Sequence, residues 1–274
     1  MNGMEEHQNL PDANRLSVLA SMILLAYALT PFLRFGGREY ALELPGIVLL
    51  FQFNLATIVP ILVAALAAVG TDWLLRWHPH LGDQVTFQHW ILPALTAWVI
   101  GVPLNTLAVS RQWWVVFAFG SALLILVLLA EYIVVDPSDA RYAPATVGLT
   151  AVSFALYLIL AIGMRAASLR LYLLIPALVI AMALVSLRTL YLRLGGQWKI
   201  YWAVGIAGVV GQFAIGLHYW PLSPLAFGLA LLGPAYALTS LAAAIEEGRP
   251  LQSLWVEPVV MLVVLWGFAL VLGS

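Results

Sequence analysis

The chain has 274 residues, of which 63% are apolar and 9% charged, and it contains no cysteine. A mean hydropathy of +0.98 lies far outside the soluble range and marks a polytopic membrane protein. The formal net charge of −1 gives no basis for a nucleic-acid partner, and the absence of Cys excludes disulfides, thiolate metal sites, Fe–S clusters and cysteine nucleophiles.

Residues 1–15 read as a short polar tail with Glu5, Glu6 and Asp12. The tail lacks the basic n-region and small-residue cleavage site of a secretory signal, so the first apolar run is expected to remain as a span. Residues 16–274 read as a single transmembrane domain with no soluble domain. Nine spans are expected, at 16–33, 54–75, 89–108, 112–134, 145–164, 171–192, 201–219, 224–244 and 254–272. At about 1.5 Å per residue, each can cross roughly 30 Å of hydrocarbon. The fold class is all-α, a polytopic transmembrane helix bundle. Between the first two spans, Leu42 to Phe53 is apolar but too short to cross alone, and it carries Pro45 and Gly46. It is read as a short interfacial or re-entrant segment at 42–53, which sets the span count at eight to ten.

Pro60, Pro93, Pro103, Pro176, Pro234 and Pro258 fall within spans or at their starts. Each bends a helix, and neighbouring helices can satisfy the freed carbonyls. In the seventh span Gly205, Ala207, Gly208 and Gly211 form a small-residue run suited to close helix packing, within the chain or against another subunit. A faint internal repeat relates the third, fourth and fifth spans to the sixth, seventh and eighth through Pro93-Ala94-Leu95 and Pro176-Ala177-Leu178. Units of three spans would be inverted, as in some transporters. With nine spans, seven Arg or Lys residues flank the N-terminal side and five the other, which favours a cytoplasmic N-terminus.

Polar groups are placed unevenly. Asp72, Glu131, Arg188 and Glu257 each lie within one or two turns of the span ends on the N-terminal side. A charge at the helix centre costs roughly 2.5–3.5 kcal/mol on insertion scales, so such groups pair or face a polar cavity. Two readings stand: helix-end residues paired for structure, with Arg188 facing Glu131 or Glu257, or a polar vestibule in which Glu131 and Glu257 carry protons or cations.

His78, His80 and His89 lie on or beside the loop between the second and third spans. Neutral imidazoles suit Zn, Cu or Fe, although the fixed helical spacing of a His-Glu-xx-His site is missing. His89 and His218 fall at opposite ends of their spans, which excludes one bis-histidine haem between them; either could bind the magnesium of a chlorophyll-type pigment. No cofactor is predicted, with such a pigment or a metal ion as the alternatives. Lys199, the only lysine, sits at the start of a span, where a retinal Schiff base is not expected. Nucleophile elbow, phosphate loop, dinucleotide fingerprint and Arg ladder are all absent.

Four stretches carry a resemblance: Glu43-Leu44-Pro45-Gly46, Gly70-Thr71-Asp72-Trp73-Leu74-Leu75-Arg76, His89-Trp90-Ile91-Leu92-Pro93-Ala94-Leu95 and Ala130-Glu131-Tyr132-Ile133-Val134-Val135-Asp136-Pro137. Together they resemble an uncharacterised family of polytopic membrane proteins of green non-sulfur bacteria. The resemblance implies no activity. It does imply a bacterial inner-membrane location and a host whose membranes contain photosynthetic or respiratory complexes. The leading expectation is a non-catalytic accessory or scaffold subunit of a membrane complex, its partners being the bilayer and other membrane subunits or a second copy. The alternative is a small-solute or proton-coupled transporter. A membrane-embedded metal-dependent enzyme comes third.

Overall fold

The computed structural model describes residues 11–32, 38–44, 47–53, 55–79, 81–82, 85–250 and 254–273. Nine helices among the described residues are long and apolar enough to cross a membrane. They are α1 (Ala13–Leu29, continued by a 3-10 turn Thr30–Phe32), α2 (Leu55–Leu75), α3 (Phe87–Thr106), α4 (Arg111–Ile133), α5 (Tyr142–Ala166), α6 (Leu171–Arg193), α7 (Ile200–His218), α8 (Pro224–Glu246) and α9 (Val256–Gly273). Counting the 3-10 turn with α1, every expected span end lies within three residues of the observed one. The chain divides into two compact units, Met1–Asp139 and Ala140–Ser274.

The segment between α1 and α2 differs in form from its expectation. Its backbone is an antiparallel hairpin of β1 (Arg38–Leu44) and β2 (Ile47–Phe53), paired from Arg38–Phe53 to Leu44–Ile47. Ile47, Val48, Phe51 and Phe53 are strand formers, and Pro45-Gly46 separates the two runs. A two-stranded sheet carries unpaired N–H and C=O groups along both outer edges. Hydrocarbon offers them no partners, so the hairpin suits the interface or water and is not a tenth crossing.

In the first unit α3 is the central helix, packed against α1, α2 and α4. Ile23, Ala67, Ala97, Leu124 and Leu128 form the core of this unit. Two aromatic side chains tie it together through polar tips. The Tyr27 hydroxyl donates to the Ala97 carbonyl, and Trp113 Nε1 donates to the Leu104 carbonyl at 3.0 Å. Gly101 makes the close approach of α2 and α3 possible: a Cβ there would stand 2.9 Å from Pro60 Cβ and 3.0 Å from the Tyr27 hydroxyl.

In the second unit α8 is central, packed against α5, α6, α7 and α9. Its buried face is built from small residues, including Ala226, Gly228, Ala230, Gly233, Ala235 and Ala242. Gly228 meets Ile162 of α5 and Gly233 meets Trp266 of α9, whose Nε1 donates to the Ala230 carbonyl at 3.0 Å. Small residues replace the hydrophobic drive, absent in lipid, with close contact. Buried hydroxyls are satisfied on their own helices: Ser153 donates to the Leu149 carbonyl, Ser186 to Met182 and Thr239 to Ala235, each at 2.7 Å.

Helix ends follow local rules. Asp12 caps α1 by accepting from the Asn14 amide, and Ser223 caps α8 with Pro224 at the first helical position. Gly248 (φ +68°) closes α8, with the Arg249 amide bonded back to the Ala244 carbonyl. The equivalent position after α5 is Ser168, at φ +51°, a left-handed conformation that a serine adopts at a cost.

The small-residue run of α7 divides by helical period. Ala207 is buried, and a Cβ on Gly211 would meet Val179 of α6 at 2.6 Å, so these two form the packing face. Gly205 and Gly208 point elsewhere, with nothing within 4 Å of an added Cβ. The internal repeat is not the unit of packing. The division between α4 and α5 cuts the first three-span group, since α5 packs on α6 and α8.

Candidate functional site

In the first unit the antiparallel course of α2, α3 and α4 brings the last turn of α2, the first turn of α3 and the last turn of α4 to one end. His89, in the first turn of α3, and Glu131, in the last turn of α4, therefore meet. His89 Nδ1 lies 2.7 Å from Glu131 Oε2, with side-chain exposures of 6% and 0%. This is a hydrogen-bonded carboxylate–imidazole pair closed to solvent. One of its partners donates the proton that the other accepts, so the pair can hold a proton and exchange it between two side chains.

The neighbouring loop adds further polar groups. His78 is buried, and its ring meets Tyr132 edge-on at 4.5 Å. Asp72, at the end of α2, accepts from Arg76 Nε at 2.7 Å and from the Thr86 hydroxyl; Trp90 Nε1 in turn donates to Thr86 Oγ1 at 3.1 Å. These residues line a cleft of about 600 Å³ together with Leu81 and Gly82. After α4, Asp136 turns the chain by accepting from the amide and hydroxyl of Ser138, at 2.9 and 2.6 Å.

Of the sequence candidates, Asp72, His78, His89 and Glu131 thus share one end of the first unit. His80 lies outside the described residues. Among the described residues there is no group of three or more His, Cys, Asp or Glu placed to hold a metal ion. The Nδ1 of His89 is engaged by Glu131, an arrangement that fixes the imidazole ring.

Arg188 and Glu257 belong to the second unit. Arg188 is fully buried in α6, its guanidinium 5.5 Å from the ring of Tyr191. Glu257 accepts from the Tyr236 hydroxyl at 2.7 Å and from Ser240 at 3.1 Å, with Arg249 at 4.0 Å. His218 lies at the other end of this unit, its Nδ1 3.4 Å from Arg165 Nη1.

Sequence reasoning missed the densest polar knot of the second unit. Glu246, at the end of α8, accepts from Lys199 Nζ at 2.7 Å, from Trp202 Nε1 at 2.8 Å and from the Tyr201 hydroxyl. The hydrogen bond to Glu246 raises the pKa of the Lys199 ammonium. Beside it, Glu247 pairs with Arg193 at 3.4 Å and Arg249 at 2.6 Å. The signal was present: a lone lysine at the start of one span and Glu246-Glu247 at the end of the next fall at one level in an up-and-down bundle.

No curated protein and no solved structure matches the chain. The family described as "Protein of unknown function (DUF5656)" matches residues 36–272, which includes α2 to α8 and all but the last residue of α9. The chain, with nine membrane-length apolar helices among its described residues, therefore belongs to the DUF5656 family.

Proposed function

We propose that this protein is a proton-coupled transporter of a small solute, with Glu131 and His89 as the groups that hold and pass the proton. The observation that carries the reading is their 2.7 Å bond at a site closed to solvent. Ionisable groups within a membrane span are costly, and their usual use is a proton or ion path. His78 and the Asp72–Thr86–Trp90 cleft at the same end supply polar groups through which such a path could open to water. The resemblance noted above, and the excess of basic residues flanking the N-terminal side, support a bacterial inner-membrane location with the N-terminus cytoplasmic.

The test is reconstitution in liposomes loaded with a pH-sensitive dye, with a potassium gradient and valinomycin as the driving force. A panel of amino acids, sugars and organic acids is screened as solute. The expected result is proton movement with at least one condition, lost in Glu131→Gln while the variant keeps the unfolding profile of the wild type. No Glu131-dependent proton movement under any condition overturns the reading.

A second reading, an accessory or scaffold subunit, is favoured by the outward face of α7. Gly205 and Gly208 there offer close approach to a helix of another subunit. Purification in mild detergent separates the two: a fixed stoichiometric partner supports the subunit, and a chain that runs alone counts against it.

A further inference from the structure

The second unit contains a cleft that the proton-coupled reading does not use. It lies at the end of the unit opposite Glu246, Glu247 and Glu257, where the α5–α6 and α7–α8 connections meet. Its volume is about 570 Å³, and its walls include Arg165, Ser168, Arg170, His218 and Leu222. Every charged side chain in the wall is basic. The acidic side chains of this unit are Glu246, Glu247 and Glu257, and α8 alone, with 23 residues, sets Glu246 about 33 Å from its own start beside the cleft, at roughly 1.5 Å per residue. Screening in salt extends over about 10 Å, so these carboxylates do not neutralise the cleft.

The two arginines are held differently. Arg165 is fixed: Nη1 donates to the His218 carbonyl at 3.2 Å, and Nη2 donates to the Trp220 carbonyl at 3.2 Å. The same Nη1 lies 3.4 Å from His218 Nδ1. Arg170 is exposed, and its guanidinium has no carboxylate partner among the described residues. Arg170 is also the residue that opens α6, and no side chain caps that helix start. The positive end of the α6 dipole therefore adds to the field of both arginines.

The surrounding residues indicate the depth of the cleft. Tyr219 and Trp220, beside His218, are 77% and 59% exposed. Aromatic side chains of this kind gather where hydrocarbon meets headgroups. The cleft thus opens at the level at which lipid phosphates lie.

We propose that this cleft binds a phosphate-bearing anion, the phosphodiester headgroup of an anionic phospholipid of the facing leaflet, with Arg165 and Arg170 as its charge partners. Guanidinium groups suit phosphate because they offer paired donors in a plane, and they are less strongly hydrated than ammonium. Arg165 acts as the pre-positioned wall, and Arg170 closes over the headgroup from the rim.

The test uses the full chain in nanodiscs of phosphatidylcholine with a minor fraction of phosphatidylglycerol, and native mass spectrometry of the retained lipid. The expected result is about a ten-fold preference for phosphatidylglycerol: both headgroups carry the phosphodiester, but the choline ammonium of phosphatidylcholine sets a positive charge against the two arginines. The preference falls to near unity in Arg170→Gln. It persists in Arg249→Gln, at the opposite end of the unit. Because Arg170 is exposed and makes no ion pair among the described residues, this variant keeps the fold; Arg165→Gln is read only where its unfolding profile is unchanged. A second arm titrates inorganic phosphate into pure phosphatidylcholine nanodiscs by phosphorus NMR. Arg170-dependent binding of phosphate alone supports the site and reassigns its source to a free anion. Equal retention of the two lipids, or a preference that survives Arg170→Gln, with no phosphate binding, overturns the proposal.

Discussion

Substituting Glu131 and His89 singly and together, as Glu131→Leu, His89→Leu and the double variant, measures what the buried pair contributes to the fold. The bond is 2.7 Å long between groups that are 0% and 6% exposed, so neither partner can exchange it for water. Each single variant leaves one buried polar group without that bond, at a cost of about 1–3 kcal/mol and more where the group is charged. The double variant removes both ends of this bond at once, so neither partner is left facing the other's absence. The structure therefore predicts that the double variant is less destabilised than the sum of the singles, by about 1.5–3 kcal/mol. Equilibrium unfolding in mixed micelles by SDS titration reads the three differences. Single effects that add to the double within about 0.5 kcal/mol would show that the pair is not coupled, and with it the shared proton loses its geometric basis.

Four other substitutions probe the packing and the surface. Gly101→Ala places a Cβ 2.9 Å from the rigid ring of Pro60 and should cost about 1–3 kcal/mol by overpacking, visible as a lower thermal midpoint in detergent; an unchanged midpoint would mean that α2 and α3 do not approach so closely. On α7, Gly211→Leu should destabilise the fold while Gly205→Leu should not, because Val179 abuts only the former. Should Gly205→Leu leave the isolated chain stable but disrupt a co-purified assembly, the subunit reading gains. The Glu246 hydrogen bond raises the folded-state pKa of Lys199 above its ordinary value of 10.5. The contribution of a group with a raised folded pKa is complete below its unfolded pKa and disappears as pH rises through the folded one. The stability gap between wild type and Lys199→Met should accordingly stay constant from neutral pH upward and close only above about pH 10.5, followed by thermal unfolding in detergent across that range.

Part of the candidate site was legible in the sequence. Span ends are fixed by where apolar runs stop, so Asp72, Glu131 and His89 could be placed at one end of their helices before any fold was known. What could not be read was which of them touch. Rotation of α3 and α4 about their axes decides that His89 faces Glu131, and that rotation depends on side-chain packing across helices rather than on hydropathy. The same limit explains Arg188. Its burial is a property of the α6 face on which it stands, and amphipathic periodicity is weak where lipid and protein interior are equally apolar. Glu246 and Lys199 were separately visible but went unpaired, because they are 47 positions apart.

The sequence by itself placed the nine apolar spans and their ends to within three residues while leaving the total at eight to ten, since insertion of an apolar segment is a local matter of length and transfer free energy. It did not determine that Arg38–Phe53 forms a paired hairpin, because a short apolar run with a Pro-Gly break suits a re-entrant loop equally well; hydrogen-bond pairing between the two strands made the choice. Only the tertiary structure decided which glycines separate helices and which face outward. Close contact is set by the angle of each residue around its helix, and Gly205 and Gly208 differ from Gly211 in that angle.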